Sequence, residues 1–268
     1  DDISDDSFTL AAHTISKPFW AGWHLFGPVL TPTVNGPLMD LNLSPTFGNF
    51  GEYWVAYDQV GNFDVPTLEL NLGQGYYLAL AQDDDMVLQG DPVIGDPDDA
   101  GTLATLSLTK GWNLLSNPLT TFVDKETLTV TYETEDGSQT LPWQAAADAG
   151  WVQTNINTWF IDSHMHVNQM VPFGGYWFHS SRDLTVNVDP HLNYYSSRVA
   201  DENIWSLTLK ASDPMGIAGG DFVTVTVDED ADADFVYGED EFDHPNPMQS
   251  DFIDMHINRS EWVGKKDR

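Results

Sequence analysis

Short runs in which apolar and polar residues alternate dominate the chain. Val223, Val225 and Val227 share one face while Thr224 and Thr226 take the other, the period of two that a half-buried strand requires. Comparable alternating or aromatic runs occupy residues 8–15, 53–57, 67–72, 75–81, 86–88, 103–109, 128–132, 139–141 and 205–210. Glu135-Asp136-Gly137-Ser138 separates two of them, and Asp-Gly between β-rich runs is a hairpin signal. The helical exception is Pro142-Trp-Gln-Ala-Ala-Ala-Asp-Ala-Gly150, with proline early, alanines inside and glycine at the end. Residues 28–51, broken by Pro and Gly, read as loop. The pattern predicts an all-β protein of short antiparallel strands.

One longer pattern organises these runs. Gly111-Trp112-Asn113-Leu114-Leu115-Ser116-Asn117-Pro118, followed downstream by Gly175-Tyr176-Trp177, repeats the earlier Gly22-Trp23-His24-Leu25-Phe26-Gly27-Pro28 with Gly75-Tyr76-Tyr77. The spacing is 89 positions between the tryptophans and 100 between the later glycines, a period that means tandem domains. Pro, Gly and acids between Asp91 and Gly101 mark a linker. The expected organisation is therefore residues 1–95 as one sandwich-like module with an N-terminal arm, 96–197 as a second, and 198–268 as an acidic third β domain. The ending Lys265-Lys-Asp-Arg268 leaves open whether that domain closes there. Trp23 should superpose on Trp112, and Tyr76 on Tyr176. Their expected role, with Trp177, is core packing: glycine permits a positive φ or a close approach, and the indole supplies apolar area.

Charge removes some functions. Forty-two acidic against ten basic residues give a net charge of −32, which repels nucleic-acid backbones and anionic membranes. No run approaches the roughly 20 apolar residues of a membrane span. Cysteine is absent, which excludes disulfides, thiol catalysis and thiolate metal sites.

The carboxylates offer candidate chemistry. Asp230, Asp232 and Asp234, with Glu241 at the twelfth position, approach the ligand spacing of a calcium loop, although Phe235 stands where the sharp turn takes glycine. Calcium is the expected cation; a solvated acidic face suited to high salt is the alternative. Asp162, His164 and His166 alternate on one strand and form a weaker metal cluster of zinc-ligand type. No Gly-x-Ser-x-Gly elbow occurs, and so many acids make any catalytic carboxylate pair uninformative, so no catalytic residue is assigned. The sequons at Asn42 and Asn258 would accept glycans in an exported protein.

These motifs resemble repeated β modules of large secreted and cell-surface bacterial proteins, often exported by the type IX route. Residues 111–118, 141–151 and 172–177 are similar to such a module, and the acidic, proline-containing stretch 240–247 followed by Glu261-Trp262 is similar to the domain that comes next in them. The first copy departs from the motif at His24 and Gly27. The resemblance implies an extracellular or cell-surface location and a non-enzymatic stalk, adhesive or assembly role. Like copies, through the arm or edge strands, or neighbouring surface domains would then be the partners. The alternative is a carbohydrate-binding module or accessory region of a polysaccharide-degrading enzyme, with glycans as partners and exposed Trp side chains as its mark.

Overall fold

A computed structural model describes residues 13–33, 35–59, 68–93, 103–135, 137–160, 163–190, 205–211, 221–227 and 253. It is all-β, with antiparallel sheets arranged as sandwiches. The first repeat contains β1 (His13–Phe19), β2 (Gly22–Phe26), β3 (Thr31–Pro32), helix α1 (Met39–Phe47), β4 (Trp54–Tyr57), β5 (Tyr76–Leu80) and β6 (Asp84–Asp91). One sheet runs β1-β6-β3 and the other β2-β5-β4. Alternation along β6 buries Met86 and Leu88 and exposes Val87. Met86 and Leu88 meet Phe26, Leu43, Trp54, Tyr76 and Leu78 in one core, each such burial contributing roughly 1.5–3 kcal/mol.

The second repeat contains β7 (Ala104–Leu108), β8 (Gly111–Ser116), β9 (Val123–Asp124), β10 (Thr129–Thr134), β11 (Gly137–Pro142), α2 (Trp143–Asp148), β12 (Ile156–Phe160), β13 (Ser163–Val167), β14 (Gln169–Met170), β15 (Gly175–Ser180) and β16 (Leu184–Val188). Its sheets are β11-β10-β16-β7 and β13-β12-β15-β8. A second core between them holds Leu106, Leu115, Val130, Trp143, Ile156, Tyr176, Phe178 and Val186. Beyond it, β17 (Trp205–Ala211) and β18 (Asp221–Val227) pair antiparallel.

The two Gly-Trp strands occupy the same place. Trp23 pairs with Ala79 and Phe26 with Tyr76; Trp112 pairs with His179 and Leu115 with Tyr176. Those partners keep the 89- and 100-position spacings, as do Lys17 with Met86 and Leu106 with Val186 in the outer sheets. Each repeat therefore closes its first strand on its last, from His13 beside Gly90 to Ala104 beside Val188. The arm reading falls partly outside the described residues; from His13 onward the chain pairs with its own β6.

Two expectations are corrected. The stretch read as loop contains α1, in which Pro45 sits in the last turn. Asn42 supports it by donating its amide to the carbonyls of Leu38 (2.8 Å) and Gly36 (2.9 Å). Asn42 is thus buried and committed, and its sequon is closed to glycan attachment; Asn258 lies outside the described residues. Residues 68–72, the described part of an expected strand, make only an isolated bridge, Glu69 with Leu38, with Leu68 and Leu70 turned into the core.

Candidate functional site

The repeats meet across a shared aromatic seam. Along β5 and β15, Tyr76, Tyr176 and Phe178 point into their own cores, so Tyr77 and Trp177 point the other way. They meet Leu25, Leu114 and Trp159, with Trp23, Tyr57 and Trp112 half-buried around them. The inner sheets therefore face each other, and the described sandwiches form four layers with three apolar interiors. Trp177 stands 6.3 Å from Tyr77 and 6.2 Å edge-on to Trp112, measured between ring centroids, within the preferred range for aromatic pairs. Trp23, Trp112 and Trp177 are thus packed between the modules, while Tyr76 and Tyr176 belong to the separate cores.

The backbone contacts at one end of the seam follow a pseudo-two-fold relation. Phe26 bridges Gly174, and Leu115 bridges Gln74. Gly27 N donates to Phe173 O (3.3 Å), and Ser116 N to Gly73 O (2.9 Å). Closeness explains the glycines that follow the repeat spacing: a Cβ on Gly75 would lie 2.7 Å from Leu115 O, and one on Gly175 2.7 Å from Phe26 N. Gln59 of the first repeat adds a side-chain clamp, donating to Trp112 O (2.6 Å) and accepting from Leu114 N (2.9 Å).

The side chains break this symmetry in matched ways. A Cβ on Gly27 would lie 2.1 Å from Ser116 Cβ, so only one of these equivalent positions can carry a side chain. Gly73 has φ 82°, and a Cβ there would lie 2.5 Å from Leu106 Cδ2. Its counterpart, Phe173, keeps the left-handed backbone at φ 65° and buries its ring in the first repeat's core. At Leu106's counterpart stands Lys17, whose Nζ donates to Pro172 O (3.0 Å) and whose pKa is lowered by burial.

Other motif residues hold the local chain. Asn113 donates to Thr109 O (2.7 Å) and accepts from Thr109 N (2.9 Å); His24, four residues after Trp20, donates from Nε2 to Trp20 O (2.8 Å). Histidine thus substitutes for part of asparagine's job. Asn117 donates to Thr121 O and Met170 O and accepts from Leu119 N. Both buried tyrosine hydroxyls accept backbone amides five residues back, Asn71 N and Val171 N. Burial pushes Tyr76 up to about 12.

Asp230, Asp232, Asp234, Glu241 and Asp162 lie outside the described residues. His164 is buried edge-on against Trp159 (5.1 Å), whereas His166 is exposed. Among the described residues no three His, Cys, Asp or Glu side chains are placed to hold a metal. Asn157 is fully buried on β12, yet neither polar atom of its side chain has a hydrogen-bond partner. His179, against the Trp112 ring at 5.0 Å, has its pKa lowered to about 4 by burial. An open cleft is lined by Pro18, Phe19, Trp20, Asp83, Asp84 and Asp85; Trp20 is 47% exposed, and Asp83 is engaged by Ala21 N (2.7 Å).

The reading of the sequence missed Gln59, Lys17, Phe173 and Asn157. Aligning the copies at their glycines places Phe173 opposite Gly73 and Lys17 opposite Leu106, a signal that was present for two of them. No protein-family model, curated protein or solved structure matches the chain. No described helix is long and apolar enough to cross a membrane.

Proposed function

We propose that this is a non-catalytic extracellular structural or interaction protein, of stalk, filament or surface-assembly type. The supporting observation is how the distinctive motif residues are used: Trp23, Leu25, Leu114, Trp112 and Trp177 fill the seam, while Tyr76 and Tyr176 anchor the cores. A chain whose most distinctive side chains are spent on holding two modules together is built to present a stiff body. Calcium stabilisation through Asp230, Asp232, Asp234 and Glu241 belongs to this reading, motivated by crowded carboxylates that a divalent cation would convert from repulsion to attraction. Partners are like copies or neighbouring surface domains. Electron microscopy of native material should show filaments, a lattice or surface-attached particles. Turnover of glycan, ester or peptide substrates, abolished by one Asp or Glu substitution, would overturn the proposal.

The Trp20 cleft favours a second reading, carbohydrate binding. An exposed indole beside Asp84 and Asp85 offers a face for a sugar ring and acceptors for its hydroxyls. Soluble glycans that bind the protein but not its Trp20→Ala variant would move the assignment there.

A further inference from the structure

We propose that the seam is a docking surface with a fixed partner rule: the first repeat accepts the second and not another copy of itself, and it accepts that repeat equally from a second copy of this chain. The rule concerns only the pairing of repeats and goes beyond the proposed role.

Backbone hydrogen bonds cannot set the rule, because their pseudo-two-fold arrangement would serve any pairing of the two modules. Packing sets it. Pairing two second repeats would bring Ser116 against Ser116, where a second Cβ has 2.1 Å. It would also bring Phe173 against Leu106, where even a Cβ has 2.5 Å. Pairing two first repeats would leave Gly27 facing Gly27 and would set Gly73 beside the core space that Phe173 fills. One arrangement is overfilled and the other underfilled, and both faults cost stability. The mixed pair alone has one knob for each hole. This is discrimination by mismatch as well as by attraction.

Nothing in these contacts requires the two repeats to share a chain. Tethering raises their effective concentration without adding a contact. When cis closure fails, the same surfaces join copies crosswise, with the first repeat of each seated on the second repeat of the other.

The test uses the full chain with a protease site placed between Val93 and Leu103, folded first and then cut. Native mass spectrometry should find the two pieces as a 1:1 complex that survives gel filtration. After unfolding in urea and renaturation with an isotopically heavy copy, light-heavy and light-light pairs of unlike pieces should appear together. Phe173→Ala in the cut chain should weaken the complex at least about tenfold, while Val87→Ala, on the outer sheet, should not. Pieces that separate on cutting, or like pieces that pair with each other, would overturn the proposal. So would a Phe173→Ala complex as tight as the parent.

Discussion

Gly73 and Phe173 stand at equivalent positions of the two repeats, and both backbones are left-handed, at φ 82° and 65°. Glycine adopts that conformation without strain, whereas a residue with a side chain loses on the order of 1 kcal/mol. Phe173 offsets the strain by burying its ring in the neighbouring repeat's core. Phe173→Ala should therefore lose about 3–5 kcal/mol, and Phe173→Gly roughly 1 kcal/mol less than that. Urea unfolding of both variants checks the order; a glycine variant no more stable than the alanine variant would show that the backbone at 173 is unstrained.

Gly27→Ala should destabilise by about 3 kcal/mol, since its Cβ would lie 2.1 Å from Ser116 Cβ and 2.7 Å from Gln74 O. Ser116→Gly removes the first conflict and leaves the second. The double variant should recover part of the loss, giving a non-additive cycle. Strict additivity in thermal melts would mean that residues 27 and 116 do not meet.

Asn157→Leu should raise stability. The amide is fully buried without a hydrogen-bond partner, and such a group carries a desolvation penalty of about 1–3 kcal/mol that a leucine, with the same branching and number of side-chain heavy atoms, lacks. A melting temperature lower than the parent's would count against this account of the site.

Stability should fall on acidification through a defined window. His179 accepts a proton at about pH 4 in the fold, against 6.5 for the ordinary imidazole; His24 shifts in the same direction, chiefly through burial and also through Lys17. The unfolded chain therefore binds more protons between these values. Stability is fully present above about pH 6.5 and declines as pH falls toward 4. His179→Gln should flatten that part of a melting-temperature profile, and an unchanged slope would place the titration elsewhere.

Legibility in the sequence followed the range of the forces involved. Period-two alternation and the Asp136-Gly137 turn announced the β10–β11 hairpin, and Pro142 announced α2, because these are local preferences of the chain. Helix α1 was hidden by Pro45, whose cost is met by packing and by Asn42, neither of which has a local signature. Residues 68–72 alternate like a strand, yet their inward leucines are buried by a loop. The aromatics at 23, 112 and 177 were legible as buried, but not as buried between modules. Which apolar face a strand turns to its own sheet partner and which to a neighbour is a property of the assembled fold.

The strand order carries a mechanical consequence. In each repeat the first and last strands are neighbours, and their outer ends share a rung, His13 with Gly90 and Ala104 with Val188. Tension on the chain at the two sides of a repeat therefore peels this pair from one end. It meets a single rung at a time, each worth only about 1 kcal/mol, instead of shearing all seven rungs of β1 and β6 together. The outer sheets therefore meet the load first, while the interlocked aromatics between the repeats lie off that line of force. Under load the chain is a compliant spring wrapped around a tough joint.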